Sequence, residues 1–364
     1  MRSSWWKILG VALIFYGLFA GMLVPLKPNI SHSTPITAPA GEAVTLEVTG
    51  YNTSFETAGS NRAWLKLSDE HILAAENFRT TGENTAAIDF QLPLHLPVGT
   101  DAAPATLIVS NPVDGSFVRP SALSIRQTAR DTVLGHTAWS AATLSGLDET
   151  PGITFPYRDI LGETIRNTYF HVSLWLAMMI IFIAAVVESI RYLKSGKRKH
   201  DRSALSLTSV GFLFGILGLV TGMVWAQFTW GKFWSFDVKQ NMTAVALLIY
   251  AAYFILRGSF EDEEKRARIS ASYNIFAFVA LIPLIYVVPR LSASLHPGSG
   301  GNPAFGGEDL DNTMRMIFYP IIIGWTLFGV WMATIYYRYL ALRERVLDDY
   351  WTEPSLIDGR ELKR

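Results

Sequence analysis

Apolar residues run through this chain in two rhythms. Ile8–Val24 is an unbroken apolar stretch closed by Pro25, and five more follow from residue 168 onward. These are Tyr169–Ile190, Leu205–Trp225, Met242–Leu256, Ile269–Val288 and Ile317–Tyr336. A helix needs about 20 predominantly apolar residues to cross the hydrocarbon core. The runs therefore predict six transmembrane helices, the one at 242–256 borrowing flanking residues. The first run is longer than the apolar region of a usual signal peptide and no clear A-x-A site follows it closely. A retained anchor is expected rather than a cleaved signal.

Residues 28–125 have a different rhythm. Ala43–Val48, Ala63–Leu67, Ala86–Leu92 and Ala105–Val109 are short and partly alternating, punctuated by Gly41, Asn52, Gly82, Pro97, Pro112 and Gly115. Short strands at such spacing predict a small antiparallel β-sandwich. Residues 126–167 read as a linker, with Gly135, Gly146, Pro151, Gly152 and Pro156. The expected fold class is a multi-pass α-helical membrane protein of six spans with an inserted all-β, sandwich-like extracytoplasmic domain. Residues 1–27 form the N-terminus and first helix, 28–125 the β-domain, 126–167 the linker, 168–340 a five-helix membrane domain and 341–364 a tail.

Basic residues orient the spans. Arg191, Lys194, Lys197, Arg198, Lys199 and Arg202 crowd one connection, and Lys265, Arg266 and Arg268 lie in another. The tail adds Arg338, Arg343, Arg345, Arg360, Lys363 and Arg364, while the alternate connections carry few cations. The positive-inside rule puts both termini and these connections in the cytoplasm. The β-domain, residues 225–241 and residues 290–314 then lie outside.

Composition agrees: half the chain is hydrophobic and 17% charged, too apolar for a soluble domain and too charged for membrane throughout. Formal net charge is zero, which offers no argument for nucleic acid or acidic partners. There is no cysteine, which excludes disulfides, thiol catalysis, thiolate metal sites and the C-x-x-C-H attachment of c-type haem. Any bound iron must use His, Met, Tyr or a carboxylate. No phosphate-binding Walker motif occurs, so no ATP hydrolysis is expected of this chain.

Candidate chemistry gathers on the outer face. Residues 225–241 read W-A-Q-F-T-W-G-K-F-W-S-F-D-V-K-Q-N, with six large aromatic rings in one connection. An interfacial belt explains two or three of them; a flat apolar ligand lying on a shelf explains the rest. Trp230, Phe233, Trp234 and Phe236 form that shelf, whereas Trp225 and Phe228 are assigned to the belt. His171 stands at the outer mouth of the second helix and His296 in the last outer connection. The topology brings both to the face that carries the aromatic connection, and histidine is the commonest nitrogen ligand of metals and of haem iron. Solvated interfacial histidines are the plainer reading and weigh about equally. Trp175 lies one helical turn after His171, on the same face. His32, His71 and His95 read as surface or structural histidines, and His136 and His200 as poor candidates.

The order of these residues resembles the haem-handling proteins of cytochrome c maturation, whose tryptophan-rich connection is called the WWD domain. The six-span CcmC type is the nearer relative and the larger CcsA-type synthases the second. Y-F-H-V at 169–172 is similar to that family's Y-[LV]-H-V, and W-G-K-F-W-S-F-D-V-K at 230–239 to W-G-T-W-W-V-W-D-A-R. S-L-H at 294–296 and D-N-T-M-R at 311–315 are similar to T-L-H and D-P-A-M-R. Phe233 and Phe236 stand where tryptophan is usual, which keeps the rings but removes indole N–H donors. The inserted β-domain also departs from the short CcmC proteins.

The resemblance implies non-covalent haem b, with His171 and His296 as axial ligands to the iron and Trp230, Phe233, Trp234 and Phe236 against the porphyrin. Trp175 would pack beside it. Asp237 reads first as the cap of the following helix and second as a haem-site residue. Lys239, Arg290, Arg315 and Lys232 are candidates for the propionates, with snorkelling at the interface as the equal alternative. The implied partners are a CcmE-like haem chaperone, CcmA/CcmB-like ABC-type transporter subunits and a small CcmD-like helper. The implied location is the bacterial inner membrane, and the implied work is haem delivery rather than turnover. A CcsA-type haem–cytochrome c synthase and a membrane-anchored receptor or adhesion module without cofactor are the alternatives.

Overall fold

The computed structural model describes residues 4–127, 131–140, 142, 144–159, 161–296 and 310–352, with side chains described as far as 347. Residues 297–309 of the last outer connection, and Arg360, Lys363 and Arg364 of the tail, lie outside them. Two compact units divide the chain: Val24–Gly162, and α1 (Trp5–Leu23) together with everything from Glu163 onward.

The Val24–Gly162 unit is a sandwich. One sheet has the order β1 (Asn29–Thr34), β3 (Ala43–Tyr51), β7 (Thr85–Gln91), β6 (Asn77–Gly82). The other runs β2 (Thr37–Pro39), β9 (Gly115–Arg126), β8 (Ala102–Asn111), β4 (Arg62–Lys66), β5 (Ile72–Ala74). Period-two alternation builds the core: Val44, Leu46 and Val48 of β3 point inward, while Thr45 and Glu47 point out. They meet Leu107 and Val109 of β8 and Leu123 and Ile125 of β9 in one apolar cluster. Pairings are antiparallel except β2 with β9, which is parallel.

The stretch after residue 126 is more than a tether. It carries α2 (Thr132–Trp139), capped by Asp131, whose carboxylate accepts from the N–H groups of Val133 and Leu134. Trp139 is fully buried in the sandwich core. Gly135 lies against the Leu96 carbonyl, which a Cβ there would meet at 2.3 Å. The unit therefore runs on to Gly162. His71 and His136, distant in sequence, share a hydrogen bond of 2.6 Å between Nε2 and Nδ1, and Ser68 Oγ holds the other nitrogen of His71 at 2.7 Å.

In the second unit, six helical segments among the described residues are long and apolar enough to cross a membrane. They are α1, α3 (His171–Ser195) with its preceding 3₁₀ turn from Gly162, α4 (Arg198–Trp230), α5 (Val238–Gly258), α6 (Glu263–Ile282) with its irregular extension to Arg290, and α7 (Asn312–Thr352). Each span expected from the apolar runs is present. The run 269–288 is not one regular helix: α6 stops at Ile282, and Pro283 opens a π turn followed by a 3₁₀ turn over Val288–Arg290. Proline lacks the N–H that continued α-helical bonding needs.

α1 is a packed member of this bundle. A Cβ on Gly10 would meet Leu327 of α7 at 2.9 Å, and one on Gly17 would meet Ile321 at 2.6 Å. Arg166 donates to the Gly21 carbonyl at 2.8 Å, closing the end of α1 against the 3₁₀ turn. At the start of α4, four consecutive or near-consecutive residues each reach a different helix. Arg198 pairs with Glu263 of α6 at 2.9 Å and His200 with Glu188 of α3 at 2.7 Å. Asp201 takes a bidentate bond from Arg257 of α5 at 2.7 and 2.5 Å, and Arg202 approaches Glu344 of α7 at 3.5 Å. The basic run that signals orientation is thus also an interhelical brace.

Candidate functional site

α4 ends at Trp230 because Gly231 takes a left-handed conformation (φ 76°) and returns its N–H to the Gln227 carbonyl. The chain then needs only seven residues to enter α5. Gln240 staples that connection from within: its Oε1 accepts from the N–H and hydroxyl of Ser235 (2.9 and 3.0 Å), and its amide donates to the Phe233 carbonyl at 3.2 Å. Phe236 is held at φ 56°, unusual for a residue with a side chain. Asn241 donates to its carbonyl at 2.9 Å. The outcome is that the rings of Phe233 and Phe236 stand 53% and 78% exposed on a fixed backbone.

Asp237 is the junction. Its Oδ1 caps α5 by accepting from the Lys239 N–H at 2.9 Å, and also accepts from His296 Nδ1 at 2.7 Å and Ser294 Oγ at 3.2 Å. Its Oδ2 accepts from the Leu295 N–H at 2.7 Å. The cap expected from the sequence is present, and three further bonds lock residues 294–296 onto the aromatic connection. Burial pushes the Asp237 carboxyl upward, but the donors from His296, Leu295 and Ser294 outweigh it and hold it well below the usual carboxylate range. Burial lowers the His296 imidazole; Asp237 pulls it back up without cancelling the effect. His296 is therefore neutral at pH 7 and donates Nδ1–H to the carboxylate, so its lone pair is on Nε2.

His171 opens α3 and is half-buried between α3 and α4. Its Nδ1 donates to the Gly218 carbonyl at 2.8 Å, with Thr221 Oγ1 at 3.4 Å. The proton on Nδ1 again assigns the lone pair to Nε2. The two histidines are near enough to interact electrostatically, as is Lys239 with each of them. Arg290 lies near Lys239.

Trp175 stands edge-on to His171 with ring centres 6.4 Å apart, and Trp230 edge-on to His296 at 4.8 Å. Trp225 belongs to this group as well, contrary to its assignment to the interfacial belt: it is 5.7 Å from the His296 ring and 4.8 Å from Trp230. Only the fold-back of residues 294–296, driven by Asp237, reveals this. Phe228, by contrast, is 77% exposed. Trp234 is half-buried and Lys232 exposed. Arg315 hydrogen-bonds Asn312 in its own first turn at 3.3 Å, and among the described residues no contact ties it to either histidine. Beside the site, Phe170, Val224, Trp225 and Phe228 line a cleft of about 210 Å³ floored by Glu163, Thr164 and Asn167. That is below the roughly 300–1,000 Å³ of pockets that enclose a drug-sized ligand, so this cleft by itself does not enclose an extended disc.

These residues suit haem on the chemistry of the donor set. In both imidazoles Nδ1 is engaged by a protein acceptor, which assigns the lone pair to Nε2; aromatic rings lie beside them, and Lys239 and Arg290 are near enough to one another to interact electrostatically. Among the described residues no group of three or more His, Cys, Asp or Glu could hold a bare metal ion.

A multi-pass helical membrane protein with two orienting-bonded histidines around an aromatic connection is the class that fold and site define. The family model described as CcmC, "Heme exporter protein C", matches residues 123–352, and the chain belongs to that family. A haem exporter protein C of Paracoccus denitrificans is 26% identical over 210 residues, covering 57% of this chain and 85% of the relative. One from Haemophilus influenzae is 24% identical over 212 residues, covering 57% and 84%. A cytochrome c biogenesis protein CcsA of Prochlorococcus marinus is 33% identical over 115 residues, covering 31% and 35%. The match begins after most of the sandwich, which is the part that departs from the family pattern.

Proposed function

We propose that this protein handles haem in cytochrome c maturation, holding non-covalent haem b at the outer face of the bacterial inner membrane and delivering it to a haem chaperone. The observation that carries this reading is the shared hydrogen-bonding pattern of His171 and His296. In each, Nδ1–H is engaged by a protein acceptor, which presents Nε2 as a donor. Haem, when bound, would supply an iron that imidazole nitrogens can ligate and a broad apolar surface. The chain's own residues do the rest. His171 and His296 would hold the iron; Trp225 and Trp230 buttress His296. Phe233, Trp234 and Phe236 offer apolar surface worth about 25 cal/mol per Å² buried. Lys239 and Arg290 are the propionate partners; Lys232 and Arg315, without a described tie to the histidines, are weaker candidates.

An exposed shelf suits a protein that must give its cargo away. Delivery implicates a CcmE-like chaperone, with ATP hydrolysis left to CcmA/CcmB-like subunits and a CcmD-like helper alongside. Both termini are cytoplasmic by the distribution of basic residues. The CcsA match favours one second reading, in which the chain takes part in thioether attachment itself. Haem-loaded protein mixed with purified chaperone separates the two. Haem should pass to the chaperone without any thioether bond forming on an added cytochrome c apoprotein. Thioether formation without the chaperone would support the synthase reading and overturn ours.

A further inference from the structure

α4 carries Gly211, Gly215, Gly218 and Gly222, spaced four, three and four residues apart, and α3 answers with Phe182, Met178, Trp175 and His171. A Cβ on Gly211 would meet the Phe182 ring at 2.6 Å; on Gly218, the Trp175 indole at 2.6 Å; on Gly222, His171 Cε1 at 2.7 Å. Such approaches are shorter than real Cβ atoms show, so something must shift. At His171 the consequence differs from that at Phe182. Cε1 is bonded to both ring nitrogens, so a methyl at 222 presses on the atom beside Nε2. The ring cannot turn away without losing its 2.8 Å bond to the Gly218 carbonyl.

We propose that Gly222 is a positioning residue for His171: the space left by its missing side chain is where the imidazole stands, so that Nδ1 reaches the Gly218 carbonyl and Nε2 faces the iron. This rests on the reading of His171 as an axial ligand. Gly211 supplies a matched control, because Ala there meets an aromatic ring at nearly the same distance but far from any ligand.

The test uses full-length protein in detergent. In the haem-free protein, Gly222→Ala should lower thermal stability, and the same change made in a His171→Ala background should cost little, since the methyl then has no ring to meet. In the haem-loaded protein, Gly222→Ala should lower haem affinity about tenfold or more, the range seen when residues that orient ligands are changed. It should also convert the low-spin spectrum to high-spin, and added imidazole should restore the low-spin form. Gly211→Ala should lose stability with an unchanged spectrum. The proposal is overturned if Gly222→Ala costs the same stability with and without the His171 ring, or keeps the wild-type spectrum and affinity. It is equally overturned if Gly211→Ala produces the same spectral change. His171→Gly separates the two levels. If that variant keeps the wild-type spectrum, the ligand reading itself fails. If it loses the low-spin form and imidazole rescues it while Gly222→Ala is silent, only the positioning role fails.

Discussion

Replacing Asp237 by asparagine isolates the electrostatic half of the site. Asparagine caps helices about as well as aspartate, so the start of α5 should survive. What it cannot do is accept on both sides. Oδ1 of Asp237 receives His296 Nδ1–H and Oδ2 receives the Leu295 N–H, both at 2.7 Å. Whichever way the amide is turned, one of those donors faces an NH₂ group. The loss is a hydrogen bond to a charged acceptor, worth about 1.5–3 kcal/mol. Independently, changing the carboxylate that orients a ligating histidine typically costs about 10–100-fold in affinity, equal to about 1.4–2.7 kcal/mol. The two routes agree. Haem titration of the purified variant by Soret absorbance should therefore show affinity weaker by one to two orders of magnitude. The midpoint potential should rise, because a less basic His296 stabilises the ferric iron less. Wild-type affinity and potential in Asp237→Asn, with α5 intact, would show that Asp237 only caps the helix and that the histidine's partner is immaterial.

Trp225→Ala should lower haem occupancy while Phe228→Ala leaves it unchanged, since only the first touches His296; equal effects on the Soret band would refute the distinction. Acidification should weaken both haem retention and the Asp237–His296 clamp. His296 has a lowered pKa in the folded protein, so its contribution is complete above its unfolded value of about 6.5 and is lost as pH falls below it. Asp237, also lowered, adds a second loss below about pH 4, its unfolded value. Stability that rose on acidification from pH 7.5 to 5.5 would contradict these signs. Arg257→Met leaves the half-buried Asp201 without its cation; breaking a fully buried pair costs about 3–5 kcal/mol, which sets the ceiling here, and thermal unfolding in detergent should register a drop in midpoint. Trp139→Ala should destabilise the sandwich by about 3–5 kcal/mol, the cost of emptying a buried tryptophan site. Near-neutral behaviour in denaturant unfolding would mean that α2 is an appendage.

The spans were readable because each long apolar run must find lipid or another helix, and nothing local competes with that requirement. His171 and His296 were readable too, since sidedness alone brings them to one face with the aromatic connection. Asp237 was legible only as a cap: its other partners lie 57 to 59 residues away and depend on a turn that no periodicity announces. Trp225 was misassigned for the same reason, because in the last turns of a spanning helix an indole at the interface and one beside a ligand look alike. α2 escaped notice because eight residues are too few to show a helical period, although Trp139 was a signal that the supposed linker buries something. The polar edge strand β6, N-F-R-T-T-G, has one apolar side chain and so no alternation to read. The glycines of α4 were visible at their four-three-four spacing, but which ring each one admits is decided by α3.

The central claim is that His171 and His296 together hold haem iron, and the absorption spectrum of the protein purified from haem-replete membranes tests it most directly. The account predicts a Soret band with a low-spin, two-imidazole signature in the wild type. His171→Ala and His296→Ala should each lose the low-spin form, and imidazole should restore it. No Soret band in the wild type, or unchanged low-spin spectra with full haem in both variants, would contradict it.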